Sequence, residues 1–396
     1  MEQDKALELV KKGATLLCLD VPQYTLFGID TQMFTVGPNF KGIKMIPPGP
    51  HFVYYSSCNK DGNAFSPFVG FFVITTPSMV IVRKWVHQEE RLVRLSEEEV
   101  EERYCIGVKN LEFDRYLGPY DLTQFKEWNR ISNYITKSTI ERIQPIGGDI
   151  TVSSESGFVG AHMTTMEMAL AEQSRNSKFS EASEKSVVKG CCYTPIPRVV
   201  KQKGIVGQDL TLLNLDKTQL LETLLLEEYG GSEDLLLGEL QFSYIAFLMG
   251  QSLVSFLQWK DLLTLLFSCT QAPFHTRSQL FTKFIKVIYY QLKFGFQKEG
   301  ENVGGGQKGA SLFLDDSWLS KDSFLHHLCK NFFSLVQEAS VIDGDLLSWT
   351  RKLEQLLQST VGWDFKHCGD VSNLYAEDDE FAPVIEILDE HGASTA

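Results

Sequence analysis

Between residues 27 and 57, short aromatic and β-branched runs alternate with the turn signals Gly37-Pro38 and Pro47-Pro48-Gly49-Pro50. This is the pattern of strands joined by stiff connections. Pro48 and Pro50 lack amide donors and push their predecessors toward extended geometry. Residues 45–50 are therefore expected at a sheet edge or corner and not in a central strand. Compact apolar runs at 14–19, 52–56, 67–75 and 79–85 predict further strands, with Pro77-Ser78 turning between the last two. The run FVGFFVI is apolar on both faces, which predicts the central strand of its sheet.

Residues 2–12 place Ala6, Leu9 and Val10 at helical spacing ahead of Gly13, predicting a short helix. Residues 89–102 are charged and helix-permissive and read as a solvated connector. Over 122–144, Phe125, Trp128, Ile131 and Ile135 fall on one face, predicting one or two helices after Pro119, with Asp121 or Thr123 as cap. Gln144-Pro145 and Gly147-Gly148 stop them, so a β-rich domain is assigned to 1–150. Residues 151–210 read as a linker, rich in Ser, Glu and Lys and expected to be mobile as far as 186.

From residue 212 the period becomes helical. Leu220, Leu221, Leu224 and Leu225 form a stripe ending at Gly230-Gly231, and 235–269 is intensely apolar. Two antiparallel helices broken near 250–252 fit the latter stretch better than one long helix. Helices are also predicted over 277–296, 321–338 and 345–357, with a flexible loop at 300–309. The expected fold class is α+β and multidomain, with an all-α domain at 211–365 in a layered or solenoid-like arrangement. Residues 366–396 form a tail whose one β-prone segment, 381–388, could dock, fray or pair with a partner's sheet edge.

The chain has 396 residues, 43% hydrophobic and 12% aromatic, enough for real cores. A formal net charge of -14 argues against a protein built to grip phosphate backbone. No run reaches the roughly 20 apolar residues of a membrane-spanning helix, so no membrane is expected. The acidic start is neither a signal nor a transit peptide. Eight scattered cysteines without CxxC read as reduced thiols of cytosol or nucleus.

Catalytic patterns are sought without success. The run Gly304 to Gly309 lacks Walker spacing because Lys308 precedes the last Gly. His326, His327 and Cys329 suit a helix face beside a core better than a metal site. Vicinal Cys191 and Cys192 bridge each other only with strain. Asp343 and Asp345 suit helix capping. Phe242, Tyr244, Phe247, Phe256 and Trp259 suit a core. Asp30 reads as a turn or backbone-capping acid without an evident partner; a pocket uniting it with a histidine such as His51 would reopen a hydrolase reading. No catalytic residue, cofactor or metal is assigned, and a binding protein is expected instead of an enzyme.

Seven blocks, in order, carry a resemblance: Phe27-Gly28-Ile29-Asp30, Val36-Gly37-Pro38, GIKMIPPGPH at 42–51, Leu117-Gly118-Pro119-Tyr120, LGELQF at 237–242, Trp363-Asp364-Phe365, and Ala382-Pro383-Val384-Ile385-Glu386. Together they resemble the AAR-two family of splicing factors, named for a1-alpha2 repression, which assist assembly of the U5 small nuclear ribonucleoprotein. Phe34 stands where the family pattern has Trp, and 151–186 and 300–309 do not follow the pattern.

The resemblance implies a β-sandwich-like N-terminal domain and a VHS-like helical domain. It also implies binding to the C-terminal RNase-H-like and Jab/MPN-like domains of the large U5 scaffold protein, pre-mRNA-processing-splicing factor 8. Such binding would keep the particle's RNA helicase, and RNA, from engaging too early. The expected role is an assembly chaperone in nucleus and cytoplasm, without direct nucleic-acid binding of its own. The tail would add a strand to the partner through Phe381, Val384, Ile385, Ile387 and Leu388. The alternative is a VHS-like trafficking or scaffolding adaptor that binds peptides or lipids.

Overall fold

The computed structural model describes residues 12–59, 64–151, 190–197, 215–296 and 323–365. The chain begins with β1 (Ala14–Leu19), β2 (Leu26–Ile29), β3 (Gln32–Thr35), β4 (Gly42–Ile46), β5 (Gly49–Ser56), β6 (Val69–Thr75), β7 (Val80–Val86) and β8 (Arg91–Val93). Next come α1 (Glu98–Lys109), β9 (Leu117–Pro119), α2 (Phe125–Ser132), α3 (Lys137–Ile143) and β10 (Ile150–Thr151). The later helices are α4 (Thr218–Glu227), α5 (Glu233–Leu248), α6 (Leu253–Phe267), α7 (Ser278–Gly295), α8 (Phe324–Glu338) and α9 (Gly344–Val361). A β-sheet region is thus followed by a helical region, a mixed α+β chain.

The strands form two five-stranded sheets, ordered β8-β7-β1-β4-β9 and β10-β6-β5-β2-β3. The first is mixed, because β1 runs parallel to β7 and antiparallel to β4. The second is antiparallel throughout. Leu16, Cys18, Ile43, Ile81 and Trp85 from one sheet meet Phe27, Ile29, Val53, Tyr55, Phe71 and Val73 from the other in one core. Alternate residues fill this core, as the two-residue period of a strand requires. On the outer face of the first sheet, Leu17, Leu19 and Val82 are covered by Tyr104, Cys105 and Val108 of α1.

Several sequence expectations need correction. Pro47 and Pro48 do turn a corner, carrying the chain from β4 in one sheet to β5 in the other. Pro50, however, lies inside β5, the middle strand of its sheet. It is tolerated because β2 pairs with β5 only from Val53 onward, so Pro50 faces β6 alone and needs no donor on the other side. FVGFFVI belongs to β6, which is second from the edge and not central. Its two apolar faces have a different cause: Phe71 and Val73 enter the sandwich, while Phe72 stacks on Phe242 of α5 with centroids 4.4 Å apart. The connector read at 89–102 is instead the edge strand β8 followed by α1. Gln124 occupies the N-cap position of α2 without a side-chain capping bond, and Asp121 holds the turn before it by accepting from the Thr123 amide and hydroxyl.

The helical expectations fare well. The apolar stretch breaks between α5 and α6 at Gln251, whose φ is 56°, and Ser252 caps α6 by accepting from the Ser255 amide. Asp343 caps α9 by accepting from the amides of Asp345 and Leu346. Phe242, Tyr244, Phe247, Phe256 and Trp259 are all buried. No described helix is long and apolar enough to cross a membrane. Compactness divides the chain at Trp363, and all the elements above lie in the first unit. The tail-strand residues Phe381, Val384, Ile385, Ile387 and Leu388, the stretch 152–186 and the loop 300–309 lie outside the described residues.

Candidate functional site

Three of the sequence blocks meet at one point inside the sandwich. Asp30 follows β2 in a left-handed turn, with φ 55°; His51 lies on β5, and Tyr120 follows β9. His51 Nδ1 lies 2.6 Å from Asp30 Oδ2, and the Tyr120 hydroxyl donates to that same oxygen at 2.6 Å. Asp30 Oδ1 accepts from the Phe52 amide at 2.9 Å. His51 Nε2 stands 2.7 Å from the Pro47 carbonyl, which also accepts from Thr75 Oγ1. Asp30 and His51 are both 0% exposed.

The charge state follows from these partners. Asp30 receives an amide and a phenol, the environment of a carboxylate, and both imidazole nitrogens face acceptors. His51 is therefore an imidazolium, donating from both nitrogens. Burial by itself would lower its pKa, but the Asp30 charge, the hydrogen bond to it and the Pro47 carbonyl together leave the pKa raised. Asp30 is thus a backbone-capping acid, as expected, with the histidine partner that the sequence alone did not reveal. A general base must reach a substrate proton. Here every polar atom of Asp30 and His51 is engaged and shielded from solvent, so the union does not make a catalytic pair. Its chemistry is to lock the Pro47–Gly49 corner onto β2 and β9.

A second polar node joins the sandwich's helices to the helical layer. Its centre is Glu239 on α5, buried within the block LGELQF. The carboxylate receives Arg142 Nη2 of α3 at 2.6 Å, the Thr194 amide at 2.9 Å and hydroxyl at 2.8 Å, Tyr229 OH at 3.1 Å and Gln258 Nε2 at 2.9 Å. The Arg142 guanidinium also lies 4.4 Å from the Tyr229 ring centroid. The segment 190–197 is tied into this joint. Gln258 donates to the Thr194 carbonyl, the Cys192 amide donates to the Ile143 carbonyl, and Tyr193 OH donates to Ser255 Oγ at 2.6 Å. Burial raises the Tyr193 pKa well above its ordinary value.

Neighbours of Glu239 complete the joint. Gln241 Oε1 accepts from the Tyr134 amide at 2.7 Å while its Nε2 donates to Asn133 Oδ1 at 2.9 Å. Gly238 permits the close approach, since a Cβ there would fall 2.6 Å from the Tyr134 carbonyl oxygen. Phe242 supplies the stack on Phe72. Through Gly238, Glu239, Gln241 and Phe242, the block that reads as helix core is therefore also the surface on which the two halves meet. The available signal was a glutamate and a glutamine set among leucines and aromatics.

The other candidates are structural. His326 is buried edge-on against Trp363 with centroids 5.1 Å apart, His327 is exposed, and burial pushes the Cys329 thiol up. Among the described residues no three His, Cys, Asp or Glu side chains are grouped to hold a metal.

Comparison with known proteins bears on this arrangement. The family described as the AAR2 N-terminal domain matches residues 12–145, and that described as the AAR2 C-terminal repeat region matches 193–366. The chain is 30% identical over 407 residues to the Protein AAR2 homolog of Homo sapiens, covering 98% of this chain and 97% of that protein. It is 30% identical over 370 residues to the Caenorhabditis elegans Protein AAR2 homolog, covering 90% and 96%. To the A1 cistron-splicing factor AAR2 of Saccharomyces cerevisiae it is 23% identical over 285 residues, covering 69% and 74%. The two matched regions hold the Asp30–His51–Tyr120 lock and the Glu239 joint between them, and the chain belongs to the AAR2 family.

Proposed function

We propose that this chain is a splicing factor that acts by binding, as an assembly chaperone of the U5 small nuclear ribonucleoprotein. Its partner in this reading is the C-terminal part of pre-mRNA-processing-splicing factor 8, engaged at the RNase-H-like and Jab/MPN-like domains. While bound, it withholds that surface from the U5 RNA helicase and from RNA. The carrying observation is full-length similarity to AAR2 proteins, one of them named a splicing factor. Supporting it, the conspicuous buried acids, Asp30 and Glu239, are committed to holding the architecture together and not to chemistry.

The reading divides the chain at 1–150, 151–210, 211–365 and 366–396. The helical part acts as a VHS-like layer, and the tail pairs with a sheet edge of the partner through Phe381, Val384, Ile385, Ile387 and Leu388. Strand addition gains main-chain hydrogen bonds and apolar pockets against the entropy of ordering the tail. A net charge of -14 helps to keep phosphate away from the covered surface. The protein works in both cytoplasm and nucleus.

Affinity capture with the full chain from separate cytoplasmic and nuclear extracts tests this. The expected result is recovery of the scaffold protein without the helicase. Recovery of vesicle-associated or ubiquitin-bearing partners in its place would support the adaptor reading and defeat this one.

A further inference from the structure

Arg83 is an anomaly in the sandwich. Its same-face neighbours on β7, Ile81 and Trp85, belong to the core, and its pairing partner on β1 is Cys18. The guanidinium lies 5.5 Å from the centroid of the Phe71 ring, and the residue is 9% exposed. A charge in such surroundings is costly unless it is paired. Among the described residues its hydrogen bonding is confined to Nη1 donating to the Val82 carbonyl at 2.9 Å. Among the described residues most of its five guanidinium donors thus have no protein acceptor, and since none of its nitrogens is both buried and unpartnered, those donors reach the surface.

Two more arginines gather at this end of the sheets. β7 and β8 pair Lys84 with Val93, so exposed Arg94 comes next, across from Arg83. Burial, and after it the Arg94 charge, pushes the Arg83 pKa down; Cys18, Glu101 of α1 and Asp149 pull the other way. Asp149, next to β10 of the opposite sheet, is the nearby acid of the sandwich, but it pairs with Arg91 at 3.3 Å. Arg91 also pairs with Glu89. Among the described residues Arg83 and Arg94 have no carboxylate in ion-pair contact, and Asp149, already held by Arg91, is the shared acid whose charge reaches both, within a chain of net charge -14.

We propose that Arg83 and Arg94 form an anion-binding site at the β7–β8 end of the sandwich that accepts a phosphate group, inorganic or carried as a phosphomonoester. Guanidinium forks match oxyanions with paired N–H donors. A dianion neutralises both arginines where a single carboxylate would neutralise one. Exposed Arg94, and Arg91 with 44% of its side chain exposed, leave the approach open to solvent, while Arg83 supplies the buried floor.

The test is calorimetric titration of the full chain with inorganic phosphate and, separately, with O-phosphoserine, at constant ionic strength and with acetate as the control anion. Saturable phosphate binding is expected in the wild-type chain. Arg94→Gln should weaken it about tenfold or more, the loss of one charge-assisted contact, and Arg83→Met should abolish it. Arg94→Gln alone decides the matter if Arg83→Met does not fold, because Arg94 is exposed. Tighter binding of O-phosphoserine would assign the site to a phosphorylated side chain, and tighter binding of inorganic phosphate to the free ion. Phosphate binding no tighter than acetate, or unchanged affinity in Arg94→Gln, would overturn the proposal.

Discussion

His51 and Asp30 face each other at 2.6 Å in the interior of the sandwich, 21 residues apart in sequence and both without solvent exposure. Removing the carboxylate leaves a charged imidazole buried beside a phenol and a carbonyl. Asp30→Asn is expected to cost about 3–5 kcal/mol, the usual penalty for breaking a buried pair on one side. Urea unfolding at pH 6 measures it; a loss under about 1 kcal/mol, the scale of an exposed pair, would show that the pair is not a buried imidazolium–carboxylate.

The same pair sets a pH dependence. His51's folded pKa is raised above its ordinary 6.5, so the folded state holds the proton more tightly than the unfolded chain. This contribution is complete below pH 6.5 and is lost as pH rises through the folded pKa. Unfolding free energies of wild type and Asp30→Asn are therefore expected to converge as pH rises through that value. A difference that stays constant, or widens, contradicts the assigned charge state.

The Glu239 joint is expected to behave as one cooperative unit. Glu239→Ala leaves the Thr194 amide without its acceptor and takes one acceptor each from Arg142 and Gln258, which keep the Glu228 and Thr194 carbonyls, at a cost of about 1–3 kcal/mol. Hydrogen exchange read at the Thr194 amide should accelerate more than exchange within β5. Equal acceleration at both would mean global destabilisation without a local joint.

Packing at the joint gives a sharper pair of variants. Gly238→Ala would bring a methyl within 2.6 Å of the Tyr134 carbonyl and should cost about 1–3 kcal/mol as overpacking. Phe242→Ala removes the stack on Phe72 and should cost about 3–5 kcal/mol as a core truncation. Thermal unfolding of both checks the order, and a Gly238→Ala chain as stable as wild type would remove the close-approach argument.

Sequence patterning goes far here where the signal is local. The strand at 14–19, the break at Gln251 and the cap at Asp343 each follow from a few adjacent residues, and each is found in place. Pro50 misleads because a proline's tolerance depends on which neighbour lies beside that one residue, and β2 begins its pairing three residues later. FVGFFVI is rightly read as buried on both faces, but its outer cover is α5, some 170 residues along the chain. Asp30, His51 and Tyr120 are brought together only by strand order in two sheets, which spacing does not encode. Arg83 hides for a similar reason: an arginine in an alternating strand reads as outward-facing until its parity with Ile81 and Trp85 is known.

Under the proposed function, removing residues 370–396 leaves both matched regions intact. It should weaken partner binding about tenfold or more, near 1.4 kcal/mol, without lowering the unfolding midpoint. An unchanged affinity would remove the tail strand from the account while leaving the rest to stand.

Titration of the purified full chain into the purified C-terminal region of pre-mRNA-processing-splicing factor 8, carrying its RNase-H-like and Jab/MPN-like domains, tests the central claim most directly. Saturable binding at micromolar or tighter affinity, about 8 kcal/mol or more, is the expected result. Absence of binding by the full, folded chain would contradict it.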